Sequence, residues 1–459
     1  MFVDDAFMSA HFPPRIIFAN RDEQRAYKSR LVIEAQLLRG TPRHELAVLL
    51  FQQIASIEMA LADTVVADPD APSRNDHLVS AASCLVHSGD LAGARALLLQ
   101  ADLSPEAKLF FARLPQLEEA SVRSSLALRD AFFHGSLDGV RAAADVSWGL
   151  VPVRVIYWPL LRLASRASFT DEAKVALRRL IIAYPMELPF HLIYLSSSVA
   201  SDRVEAIEHA LLLTSAFPSE LGAHVALATT LTRAGEYGRA VPVCVRTLQL
   251  VRERSDAAAD PNSMVSMAFA TASVVFRRSG RRVEGLQILS EGVDRLPQDP
   301  ELRTLFALAL LAEKNEQKAG VEAEIAATQV DRDTTSTKQL RSHWPHTIAG
   351  VLALRREDWQ AAIAFLNTAS TRSSGLARAR NLNDLGVALA RVGDVVDAEA
   401  AFAAAMKLAP GLEVAARNWA RSRNENERLE TATSQVDMED DLFRFFGQQA
   451  FENYQQMAA

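Results

Sequence analysis

The chain has 459 residues, enough for two or three ordinary domains or one long repeat array. Its 49% hydrophobic content is ample for a core, and a net charge of -7 argues against general binding to nucleic acid or anionic membrane, which needs a basic surface. Cys84 and Cys244 are the only cysteines, each within an apolar helical pattern, so they read as buried reduced thiols and not as a disulfide framework.

At the N-terminus Asp4 and Asp5 stand where a signal peptide needs positive charge, and Pro13-Pro14 interrupt the segment. No uncharged apolar run reaches the ~18 residues of a membrane span. The expectation is a cytoplasmic protein without a span. Residues 1–18 carry Phe2, Phe7, Phe12 and Phe18 without helical caps and read as an N-terminal arm, either a strap lying on the first helices or a mobile one. Residues 19–68 read as a helical hairpin. Leu31, Ala35 and Leu38 form one apolar row and Leu46, Leu50, Ile54, Ile57 and Leu61 another, with the turn at Gly40-Thr41-Pro42. Arg21, Arg25, Lys28 and Arg30 precede that turn and read as a solvated face, not a DNA-reading helix.

From residue 75 the chain repeats. A degenerate series over 75–150 has His77, Ala81, Leu85, Gly89, Ala94 and Leu98 as its first copy. The central series, 154–327, is clearer. Ala173, Ala206 and Ala240 fall one period of about 34 residues apart, as do Pro185 and Pro218. The small residues let paired helices approach, the prolines end second helices, and Gly235 and Gly280 supply turns. Residues 343–429 hold further repeats and a closing helix with Trp419 on its apolar side; 430–441 read as an acidic linker. In 442–459, Leu442, Phe443, Phe445, Phe446, Phe451 and Tyr454 form a broad apolar stripe, which predicts an amphipathic tail helix.

The clearest copy spans 379–412, where Leu382, Leu385, Gly386, Leu389, Gly393, Ala398, Phe402, Ala405 and Pro410 mark the skeleton. These offsets resemble the tetratricopeptide (TPR) family. The resemblance covers roughly 75–423 and implies an all-α solenoid of helix-turn-helix repeats, with the N-terminal hairpin before it and the amphipathic helix after it. In that family the first helix of each unit lines a concave binding face. Carrying the positions over gives Trp158, Arg162, Leu188, His191, Leu195, Val225, Met267, Val274, Arg277, Leu308, Trp344, Val351, Arg380 and Asn383. Such a face either receives a partner or packs on itself and on the chain's own ends. Asn383 matches one position of the clamp by which chaperone-binding members hold a C-terminal carboxylate. Val387 occupies the next, where Asn is expected, so a chaperone-tail adaptor is not expected.

No phosphate-cradling loop or nucleophile constellation is recognisable. His343 and His346 flank Trp344-Pro345 without further ligands, and they read as surface histidines, not a metal site. No catalytic residue, metal or cofactor is expected. The expected function is a scaffold or adaptor for protein–protein interaction that binds a peptide or helical segment. Candidate occupants of its groove include its own C-terminal helix and another copy. The alternatives are a regulatory or substrate-binding component of an enzyme system and, more remotely, a helical transcription regulator.

Overall fold

The computed structural model describes residues 10–11, 20–39, 41, 43–64, 72–101, 108–109, 111–112, 114–133, 137–145, 147–164, 171–198, 203–253, 264–332, 343–422 and 429–432. Among these are 21 α-helices and no β-strand. The chain divides into two compact units, with the boundary between Ala226 and Leu227. The first holds α1 (Arg21–Arg39), α2 (His44–Asp63), α3 (Arg74–His87), α4 (Leu91–Gln100), α5 (Pro115–Phe133), α6 (Leu137–Asp145), α7 (Val153–Ala164), α8 (Asp171–Ala183), α9 (Leu188–Ser198) and α10 (Arg203–Ala216). The boundary falls within α11 (Leu221–Arg233). The second unit holds α12 (Tyr237–Glu253), α13 (Met264–Arg278), α14 (Arg282–Arg295), α15 (Pro300–Ala312), α16 (Glu316–Arg332), α17 (Trp344–Arg355), α18 (Trp359–Arg372), α19 (Gly375–Arg391), α20 (Val395–Leu408) and α21 (Glu413–Arg421). The expected all-α architecture of TPR-like helical repeats is what forms.

One local device recurs at the hairpin turns. A residue with positive φ reverses the chain, and after Gly89, Glu357 and Gly393 an aspartate side chain then caps the next helix. Gly89, Gly235, Gly280 and Gly393 take the left-handed position with φ between 79° and 86°. Lys314 and Glu357 take it at φ 60° and 61°, where a Cβ is strained. Asp90, Asp358 and Asp394 then accept the N–H three residues on, at 2.8, 3.1 and 3.2 Å. Each bond satisfies one of the donors that a helix N-terminus leaves open.

Packing follows from small residues at the crossings. Ala173, Ala206 and Ala240 are fully buried, as the 34-residue spacing requires. At Gly386 an added Cβ would lie 2.7 Å from the ring of Phe402, so α19 and α20 approach as closely as they do only because this position has no side chain. In the second unit each helix packs on the next, and α13, α15, α17, α19 and α21 also touch in succession. This is how stacked helical hairpins place their first helices side by side.

In the first unit α2 is the hub, packing on α1, α3, α7 and α8. It is the one described helix long and apolar enough to cross a membrane, and 83% of its most apolar window is buried inside the fold. Its Glu58 is buried, accepts from Lys28 Nζ at 2.8 Å and Ser80 Oγ at 2.6 Å, and pairs with His77 Nδ1 at 2.7 Å. Burial pushes this carboxyl up, but bonds to Lys28, Ser80 and His77 outweigh it and hold the group below its ordinary range. Lys28, expected on a solvated face, is thus half-buried against α2.

Three further readings change. His343 and His346 are not surface residues: His346 is 1% exposed and its Nε2 lies 3.2 Å from Asp331, while His343 is half-buried against the Trp344 ring. The cause is α16, which packs on α17 and sets its Asp331 against His346. The closing helix, expected to run to Leu429, ends at Arg421, and Trp419 is 46% exposed. Its inward side carries Ala415 and Asn418, both fully buried. Finally, residues 429–432, expected to end the closing helix and begin the linker, lie docked on α19 and α21. Cys84 and Cys244 are free buried thiols, as expected. Of the N-terminal arm only Ala10 and His11 are described, with His11 Nε2 at 3.2 Å from Glu34. The amphipathic tail over 442–459 lies outside the described residues.

Candidate functional site

The site that stands out in the second unit is built by two neighbouring first helices, α19 and α21, and by a short stretch of the chain itself. The inward face of α19 carries Asn383 and Asp384, and that of α21 carries Asn418; all three are 0% exposed. Buried amides and carboxylates need partners. Here those partners are main-chain groups of residues 429–432.

The Glu430 N–H donates to Asn418 Oδ1 at 2.9 Å. The Glu430 carbonyl accepts from Asn418 Nδ2 at 2.7 Å and from Asn383 Nδ2 at 3.1 Å. The Ala432 N–H donates to Asp384 Oδ1 at 2.6 Å, a charge-assisted bond. The clamp is also tied internally: Asn418 Nδ2 donates to Asn383 Oδ1 at 2.9 Å, and Asn383 Nδ2 to Asp384 Oδ1 at 3.0 Å. These bonds fix the orientation of both amides. Bonding to the N–H and C=O of one residue and to the N–H two residues on is the pattern a neighbouring β-strand would offer. The clamp therefore grips main-chain groups whatever the side chains.

Side chains add selectivity on either side of that grip. Leu429 is half-buried against the apolar cluster that includes Leu385, Val387, Ala388 and Phe402. The Glu430 carboxylate meets Arg417 at 3.1 Å and Arg421 at 3.3 Å, one helical turn apart on α21. Arg417 first, then Arg421, hold that carboxyl below the usual range. These pairs are exposed and add little to stability, but they set the sign of the charge accepted there.

The docked stretch is finely balanced. Ordering four residues costs roughly 4–8 kcal/mol. The main-chain bonds return about 1 kcal/mol each, the carboxylate-assisted one about 2, and half-burying a leucine about 1. Gain and cost agree within a few kcal/mol.

Of the inward residues chosen from the sequence, Asn383 is in this clamp, and Arg380 lies half-buried one turn earlier on α19. Met267, Val274, Leu308, Trp344 and Val351 are buried, and Arg277 is half-buried. Val265 to Phe276 on α13 and Trp344 to Leu354 on α17 are buried without interruption, so these helices are covered all round and not along one stripe. In the first unit Trp158 and Leu188 are half-buried, and Trp158 packs against Phe190 at 6.4 Å between ring centroids. Leu195 and Val225 are buried. His191 is fully buried; its Nε2 lies 2.9 Å from the Pro185 carbonyl and its Nδ1 2.7 Å from His209 Nε2. The side chain of Arg162 and the tail residues Leu442, Phe443, Phe445, Phe446, Phe451 and Tyr454 lie outside the described set.

Sequence reasoning missed Asn418, Asp384, Arg417 and Arg421. One signal was present: Asn383 and Asn418 are 35 residues apart, close to one repeat, which puts them on equivalent faces of successive first helices. Among the described residues no group of three or more His, Cys, Asp or Glu is placed to hold a metal ion.

No protein-family model and no curated protein matches the sequence. Among solved structures, the chain is similar to YrrB, described as a TPR protein with an unusual peptide-binding site, at 14% identity and TM-score 0.34, over 46% of this chain and 97% of that one. It is similar to BtubC from P. vanneervenii at 15% identity and TM-score 0.37, over 52% and 96% of the two chains. A tetratricopeptide repeat protein from Parabacteroides merdae ATCC 43184 aligns at 12% identity and TM-score 0.37, over 69% and 98%.

Proposed function

We propose that this chain is a protein-interaction scaffold that acts by binding and not by catalysis, and that it holds a peptide segment of a partner against the inward faces of its first helices. The observation that carries this reading is the clamp of Asn383, Asp384 and Asn418, three fully buried polar groups with bonds to one short stretch of main chain. A fold that needed only a closed end would place apolar residues there. Buried amides aimed at a peptide backbone are a recognition device. The clamp differs from the carboxylate-holding kind, because it takes main chain within a segment.

A photo-crosslinking residue tests this in cells. Placed at Trp158 or Arg380, inward and half-buried, it should give discrete protein adducts; placed at Val283 or Val396, 67% and 78% exposed on second helices, it should give none. Equal yields from the two sets, or none from the inward positions, would remove the reading.

A further inference from the structure

We infer that the Asn383–Asp384–Asn418 clamp is a binding site for a segment of another protein in which an acidic residue directly follows an apolar one, and that residues 429–432 occupy it in cis as an internal competitor. The inference rests on the scaffold reading and adds the ligand's chemistry and the control of access. Three observations support it. The clamp recognises main chain, so a foreign segment satisfies it as well as Leu429–Ala432 does. Asn383 and Asn418 are 0% exposed with the segment in place, so a segment that leaves takes with it the main-chain partners of Asn418 Oδ1 and of both amide Nδ2 groups, which a replacement peptide restores. The two arginines and the cluster containing Leu385 and Phe402 then choose among segments, asking for an acidic residue directly after an apolar one.

Access is set by tethering. Leu429 follows Ser422 by seven positions in the same chain, and so close a covalent link gives the segment an effective concentration on the order of millimolar. For a free peptide with intrinsic Kd near ~10 µM, the cis segment therefore raises the apparent Kd about 100-fold. A partner must present its segment at high local concentration, for example through a second contact, to displace it.

The test uses the full chain and a fluorescein-labelled synthetic peptide of residues 425–436. Weakening the cis segment with Leu429→Ser/Glu430→Ala in the chain, which removes its side-chain contacts and keeps its main-chain bonds, should tighten binding of this peptide by about 10-fold over wild type. Adding Arg417→Glu/Arg421→Glu, exposed or half-buried changes that spare the core, should weaken the peptide at least ~10-fold and shift preference to the version with Lys at the glutamate position. Asn418→Asp, which replaces a donor by a second acceptor, should abolish binding while the helical circular dichroism signal persists. Equal affinity for the wild-type and Leu429→Ser/Glu430→Ala chains overturns the competitor role. No binding to the Leu429→Ser/Glu430→Ala chain, or no response to charge reversal, overturns the ligand assignment. Adducts at Arg380 with no peptide binding retire this inference alone, and peptide binding with no adducts retires the wider scaffold reading alone.

Discussion

Acidification should loosen the first unit at α9 and α10. His191 is enclosed between the Pro185 carbonyl and His209 and makes one bond to each. With both rings neutral, His191 donates Nε2–H to the carbonyl and accepts at Nδ1 the Nε2–H of His209. Burial pushes His191 down to about 4. Burial, then His191 and Arg178, push His209 well below its ordinary value. An unfolded histidine titrates near ~6.5, so between pH 6.5 and 4 the unfolded chain binds protons that the folded chain refuses. Stability from this pair is complete above that window and falls as pH drops through it. By pH 5 His191 alone removes about 2 kcal/mol, and His209 adds to the loss. Hydrogen exchange of the α9 and α10 amides, corrected for intrinsic rates, should show protection falling about 30-fold or more between pH 7 and pH 5. A parallel NMR titration reads His191 directly. A His191 midpoint at or above 6, or unchanged protection at pH 5, would refute the enclosed neutral pair.

Two substitutions in the second unit test its packing and its turns. Gly386→Ala drives a methyl into the Phe402 ring, and overpacking of this kind costs about 1–3 kcal/mol, seen as a lower urea midpoint followed by circular dichroism; an unchanged midpoint would mean that α19 and α20 are not held at this distance. Glu357→Gly puts glycine where φ is 61° and should stabilise by roughly 0.5–1 kcal/mol, the left-handed strain outweighing the greater freedom of unfolded glycine. A lower midpoint would show that the Glu357 side chain contributes more than its backbone conformation costs.

Much of this architecture is legible residue by residue because it is local. The positive-φ turns at Gly235 and Gly280, the fully buried Ala173, Ala206 and Ala240, and the capping by Asp358 and Asp394 all act within one hairpin. A 34-residue period repeats such local rules until they can be read. The candidate site is legible only at Asn383. Asn418 and Asp384 look like solvated helix residues until residues 429–432 return to meet them, and His346 looks like a surface histidine until α16 covers it.

The order of hairpins, the faces their apolar residues form and the turns between them were thus determined by the sequence itself, since helical periodicity, glycine and capping chemistry act over a few residues. What lies against each inward face was decided by tertiary structure. Whether His191 is enclosed, whether α17 is covered all round, and whether Asn383 and Asn418 face solvent or a peptide depend on segments distant in the chain. A helix pattern records which side is buried; the partner that buries it is a matter of long-range contact.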